Sequence, residues 1–322
     1  MPQPLIGRRK VAILAKGVAR RARRGVAKPK LGFPYAPPPV PASVEMLEDT
    51  RNIGGNYDSS WARRPSARVA RSAIVNGVLR PTVAMLANPD RQGFDRLLSL
   101  DEDQNAIFIA NHHSHLDTSL LQTSIPHPWR HKLVVGGASE VFFDNRVKAM
   151  LSALVVGAFP IDRSTAGRAA ADQAADLIDQ GNSLLIYPEG GRSRDGWGQP
   201  FKGGAAYLAL RCEVPIVPIY LAGTGKILRK GQNLPKPSNT TVLFGDPIWP
   251  AEGENTRRLN ARIEAAVATL GDEAASDWWQ ARKRFHQRDA PSLTGPDASS
   301  WRRAWALGDR TRRTRKKPVW PR

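Results

Sequence analysis

The stretch Ile109–Ser119, IANHHSHLDTS, places three of the chain's six histidines beside an aspartate, directly after a short apolar run. Three kinds of chemistry compete for it. A metal site would use His113 and His115, but a spacing of two suits a strand better than a helix. Neither the usual zinc pairing of histidines four apart on a helix nor a nearby cysteine accompanies it. A structural turn would let the histidines and Ser114 satisfy backbone groups, with Asp117 as N-cap of the helix TSLLQTSI. The third reading pairs His112 with Asp117. Residues five apart do not share a helical face, because five residues overshoot a full turn by about 140°. The two can meet if His112 lies in a loop and Asp117 opens the following helix. The carboxylate then fixes the imidazole tautomer and stabilises the imidazolium, while the other ring nitrogen takes a proton from an alcohol. No G-x-S-x-G nucleophile motif is present, so the alcohol would be a substrate hydroxyl that attacks directly.

The elements needed to position such a pair are legible downstream of residue 105. Short apolar runs predict strands over 106–110, 131–137, 157–163, 183–188, 214–223 and 240–245. Helices are predicted over 166–181, closed by Gly181, and over 203–212 and 255–270. This alternation predicts an α/β fold, a mostly parallel sheet flanked by helices. Residues 66–88 read as a further helical segment that Pro81 kinks or splits. The histidine stretch, Arg163 and the segment EGGRSRDG all follow strands, and ligands of open α/β sheets gather at the carboxyl ends of strands.

The net charge of +19 is unevenly placed. Residues 1–30 hold ten Lys and Arg and no acid, and residues 301–322 hold nine with one acid, Asp309. The 270 residues between them are close to neutral. Such ends are attracted to polyanions, either anionic lipid or nucleic acid. Residues 5–26 can form an imperfect amphipathic basic helix, with Val11, Leu14 and Val18 on one stripe, of the kind that lies on a membrane surface. No run reaches the ~18 apolar residues of a membrane span, and Arg and Lys interrupt the place where a signal peptide would be apolar. The single cysteine, Cys212, suits a reducing cytosol. Three segments are expected: a basic helix and Pro-rich linker over 1–41, a main domain over 42–272, and a helical then basic tail over 273–322.

Four ordered blocks resemble the glycerolipid acyltransferases of the lysophosphatidic acid acyltransferase type, over roughly residues 66–270. The first, N-H-x-S-x-x-D, is matched by Asn111, His112, Ser114 and Asp117. The second, an apolar block ending in Arg, is GAFPIDR with Arg163. The third is YPEGGRS, with Pro188, Glu189, Gly190, Arg192 and Ser193, followed by Phe201, Lys202 and Gly204. The fourth is the strand from Val214 to Pro218. One departure is Gly191, where the family usually carries Thr.

The resemblance implies transfer of a fatty acyl chain from acyl-CoA or acyl carrier protein to a lysophospholipid hydroxyl. His112 would be the base and Asp117 its orienting acid, with no metal or redox cofactor. Arg163, Glu189, Gly190, Arg192, Ser193 and Lys202 would form the acceptor site. A phosphate on the acceptor suits Arg guanidinium groups, which bind it by bidentate hydrogen bonds. A glycolipid or other polyol acceptor is the alternative that Gly191 permits. The expected place of work is the cytoplasmic face of an anionic membrane, held peripherally. A nucleic-acid-binding reading rests on the basic ends and on Trp301, Trp305 and Trp320; it explains none of the four blocks.

Overall fold

The computed structural model describes residues 57–161, 167–193, 196–228 and 234–295. The expected basic helix, the Pro-rich linker, Arg163 and the basic tail lie outside the described residues. Seven strands form one sheet: β1 (Pro89–Gln92), β2 (Ile107–Ala110), β3 (Leu133–Ala138), β4 (Ala158–Ile161), β5 (Ser183–Ile186), β6 (Ile216–Ala222) and β7 (Thr240–Phe244). Their order is β1-β7-β6-β2-β5-β3-β4. All neighbouring pairs are parallel except β6 with β7. The mostly parallel α/β sheet expected from the sequence is therefore the fold.

The helices are α1 (Pro65–Ile74), α2 (Arg80–Ala87), α3 (Asp117–Ser124), α4 (Ser139–Phe142), α5 (Arg146–Val156), α6 (Arg168–Asp179), α7 (Gly204–Cys212), α8 (Thr256–Ala275) and α9 (Trp278–Gln287). Strand β2 is buried along its whole length and divides the core by simple alternation. Phe108 and Ala110 face one apolar cluster, shared with Leu120 and Leu121 of α3 and with Val83 and Ala87 of α2. Ile107 and Ile109 face the other, filled by Ala174 and Ile178 of α6, Ala205 and Ala209 of α7, and Leu259 and Ile263 of α8. Pro218 sits inside β6 without breaking the antiparallel ladder, since that register covers Ile219–Ala222.

Local chemistry explains the ends of the elements. Past α6, Gly181 (φ 88°) donates to Ile178 O at 2.9 Å and Asn182 to Leu177 O at 3.1 Å, the paired bonds of a Schellman stop. Between α1 and α2 the chain takes a π turn over Val75–Leu79, directly before Pro81. Proline has no N–H for the i−4 carbonyl, and the helix widens there rather than breaking. Arg71 fastens α1 to α5: its guanidinium donates to Leu154 O (2.7 Å), Ala153 O (3.0 Å) and Ala62 O (2.8 Å). Burial, with Arg68 and Arg63 nearby, lowers its pKa to about 10.

Candidate active site

Strands β2 and β5 are adjacent and parallel, so the loops at their carboxyl ends emerge side by side. Asn111 continues the β2–β6 ladder with its side chain, donating to Leu221 O (2.9 Å) and accepting from Leu221 N–H (2.7 Å). The main chain is thereby free to turn at His112. Ser114 is buried, with its hydroxyl donating to Leu228 O at 3.0 Å.

His112 Nδ1 meets Asp117 Oδ2 at 2.8 Å. The same oxygen accepts the N–H groups of His113 (2.7 Å) and Ser114 (2.8 Å). Asp117 is fully buried and stands in the first turn of α3, where the helix dipole favours its charge. It does not serve as the N-cap expected of it. That position is Leu116, and the carboxylate turns back to the loop instead. Because Nδ1–H is directed at a carboxylate, Nε2 is left as the proton acceptor, and the His112 side chain is 16% exposed, enough to be reached.

One face of the imidazole is covered by Tyr187, with ring centroids 4.0 Å apart and planes 16° apart. Burial first, and then Asp117, push the Tyr187 hydroxyl pKa well above its ordinary value, so the ring is a neutral platform at physiological pH. Its hydroxyl lies 3.1 Å from Thr118 Oγ1. Tyr187 ends an apolar run, and nothing in the sequence marks it as a neighbour of His112.

Glu189 joins the two loops. Its Oε1 accepts the N–H of His112 at 2.8 Å and its Oε2 the N–H of Gln199 at 2.9 Å. The visible task of this carboxylate is thus to set the backbone of His112. Ser193 adds a second tie, donating its N–H to His112 O (2.8 Å) and accepting the N–H of Gly196 on its hydroxyl (2.9 Å). Gly190 has φ 72°, a left-handed turn conformation that suits glycine, and a methyl group there would lie 2.5 Å from Lys202 Nζ. Lys202 is exposed, with its N–H on Pro188 O at 2.9 Å.

The Arg192 guanidinium contacts His115 Nε2. Burial, then Arg192 and His112, hold the His115 pKa below its ordinary value against the opposing pull of Asp117, so the ring is neutral and can accept. This partnership was not visible in the sequence. At Gly191 an added Cβ would meet no atom within 4 Å, so the side chain missing there leaves open space.

Residues 94–222 match the family model described as Acyltransferase. The match covers less than half of the chain. Among curated relatives, the acyltransferase match includes the chloroplastic 1-acyl-sn-glycerol-3-phosphate acyltransferase of Brassica napus, 30% identical over 51% of this chain and 46% of the relative. It also includes the 1-acyl-sn-glycerol-3-phosphate acyltransferase of Limnanthes douglasii, 36% identical over 45% and 50%, and the human beta enzyme of that name, 34% identical over 37% and 42%. The chain spans about half the length of the curated relatives it matches. The solved 1-acyl-sn-glycerophosphate acyltransferase of Thermotoga maritima shares the fold, with a TM-score of 0.50 at 18% identity over 68% of this chain and 88% of that one.

Among the described residues, no group of three or more His, Cys, Asp or Glu could hold a metal ion. No described helix is long and apolar enough to cross a membrane.

Proposed function

We propose that the chain transfers a fatty acyl group from acyl-CoA or acyl carrier protein to the hydroxyl of a lysophospholipid such as 1-acylglycerol-3-phosphate. The observation that carries this reading is the His112–Asp117 pair, seated at the carboxyl end of β2 in an acyltransferase-family domain. The names of the curated relatives support the choice of acceptor.

In this scheme His112 Nε2 takes the proton of the acceptor hydroxyl, and Asp117 stabilises the imidazolium. The oxygen attacks the thioester carbonyl, a tetrahedral intermediate forms, and the C–S bond breaks. The imidazolium then returns its proton to the departing thiolate, leaving an ester and a thiol. Within Gly190–Ser193, the N–H groups of Gly190 and Ser193 are committed to Tyr187 O and His112 O. The developing oxyanion would be met by the N–H of Gly191. The scheme calls for no metal or redox cofactor. Arg192, held against His115, receives the acceptor's phosphate, with Lys202 and Arg163 as further cations.

Residues 42–272 carry the reaction, and the basic segment 1–41 tethers the protein peripherally to the cytoplasmic face of an anionic membrane. Val69 of α1, Val78 of the π turn and Met85 of α2 are exposed, and so are Val147, Met150 and Leu151 of α5, the helix packed on α1. They supply the apolar contact.

The open space at Gly191 favours a second reading in which the acceptor is a bulkier polyol or glycolipid. Assays with labelled acyl-CoA and acyl carrier protein against lysophosphatidic acid, monoacylglycerol and a glycolipid panel decide between them. Phosphatidic acid as the main product is expected, falling by ~10²–10⁴ in His112→Ala. Equal rates on lysophosphatidic acid and neutral monoacylglycerol would show that no phosphate is read.

A further inference from the structure

The chain beyond α9 turns back onto the domain. Helix α9 is fixed to α8 by Arg284, whose guanidinium meets both oxygens of Asp272 at 2.7 Å, and by the buried Ala281. Arg288 ends the helix in a left-handed conformation (φ 59°), and the N–H of Asp289 returns to Arg284 O at 2.9 Å. The following residues do not lie flat on α8. A cavity of about 520 Å3 separates them, lined by Ala265 and Ala268 on one side and Pro291 and Leu293 on the other.

The far end of this strap is held by the loop after β5. Leu293 O accepts the N–H of Gly198 at 2.9 Å, and the Leu293 side chain packs against the apolar cluster of α6, α7 and α8. Two glycines make the approach possible. A methyl group on Gly198 would stand 3.2 Å from Leu293 O. One on Gly295 (φ 71°) would stand 2.3 Å from the Trp197 ring, which therefore lies directly on the Gly295 backbone.

One residue further along, Gln199 gives its N–H to Glu189 Oε2, and Glu189 Oε1 holds the N–H of His112. The geometry points to the strap Asp289–Gly295 as a positioning device for the catalytic loops: Leu293 and Gly295 hold Trp197–Gln199, and through Glu189 they hold the backbone of His112. None of these strap residues falls within the 94–222 family match. The device belongs to what this chain adds beyond that segment. A loop held from one side by Glu189 and from the other by the strap keeps its position when substrate arrives, and small displacements of a reacting group cost large factors in rate.

The test uses Gly295→Ala in the full chain, with Trp197→Ala and Leu293→Ala as variants that add no clash. Hydrogen exchange reads the strap directly. Release should raise exchange at the Gly198, Gln199 and His112 amides, with β2 and β6 unchanged. Kinetics rests on the acyltransferase reading and should show kcat down about tenfold, with KM for donor and acceptor within twofold. If Gly295→Ala does not fold, the two truncations carry the test. Increased exchange at Gly198 with His112 protection and kcat both unchanged would overturn the proposal, as would truncation variants whose activity falls only in proportion to their folded protein. Wild-type protein that turns over no acyl donor would sink the acyltransferase reading alone, because the exchange pattern would still judge the strap.

Discussion

Oxygen Oδ2 of Asp117 accepts three donors at once, from His112, His113 and Ser114. Asparagine can present a carbonyl oxygen to the same donors, so Asp117→Asn removes the charge and keeps the shape. Its kcat should fall by ~10²–10⁴ in protein that is still folded, because the lost quantity is imidazolium stabilisation. His115 offers a pH readout. In the folded protein its pKa is held below the ordinary value, whereas in the unfolded chain it titrates near ~6.5. The unfolded state therefore binds a proton that the folded state refuses. The His115 contribution is intact above that pH and lost as pH falls through the folded pKa. The loss in urea midpoint between pH 7.5 and 5.5 should be smaller in His115→Gln than in the wild type. Of these residues, the contact of His112 with Asp117 was legible because a histidine in a loop and an aspartate opening the next helix can meet across five residues. Tyr187, Gln199 and the partnership of His115 with Arg192 were not, because each depends on a loop from another strand.

At the scale of elements, the buried strands announced themselves through short, nearly continuous apolar sequence, and β2, β5 and β6 stand within two residues of expectation. Strand β1 did not, since PDRQ has no strand propensity. It forms because proline is tolerated at the start of an edge strand and β7 offers it a ladder. Helix α5 was missed although its signals are explicit: the Asn145 side chain accepts the N–H of Lys148, and Gly157 stops the helix at φ 67°. Its join to α1 rests on Arg71. In Arg71→Met three carbonyls lose their donor, and a buried unsatisfied group costs ~1–3 kcal/mol. Urea denaturation should show a loss of about 3 kcal/mol or more. Arg71→Lys should recover part of it, because a point-like ammonium cannot reproduce the planar fork.

For the whole molecule, the charge distribution makes a separate claim. Residues 1–30 carry ten cations without an acid, and each cation near an anionic surface contributes at most ~1 kcal/mol, screened by salt. Deleting residues 1–30 should reduce sedimentation with anionic vesicles most at low salt and leave neutral vesicles nearly unaffected. Turnover on a detergent-dispersed acceptor should persist, because His112, Asp117, Glu189 and Arg192 all lie in the described body.

The reversal of β7 has a consequence for how a lipid would travel. Because β7 runs against β6, it starts at the edge where β6 ends, with Ala222 opposite Thr241. Strand β1, parallel to β7, starts there too, with Pro89 opposite Thr240. The end of α2 is tied to that same edge, Ala87 O accepting the Thr240 hydroxyl at 2.9 Å and Leu86 O the N–H of Ser238 at 3.0 Å. Met85, exposed on the last turn of α2, therefore stands on the His112 side of the sheet. An apolar phase that received Met85 would lie on the side of the sheet from which His112 is approached. A lysophospholipid would need to lift only its head to the base, with its tail still lodged among its neighbours, and the product could sink back by the same short route.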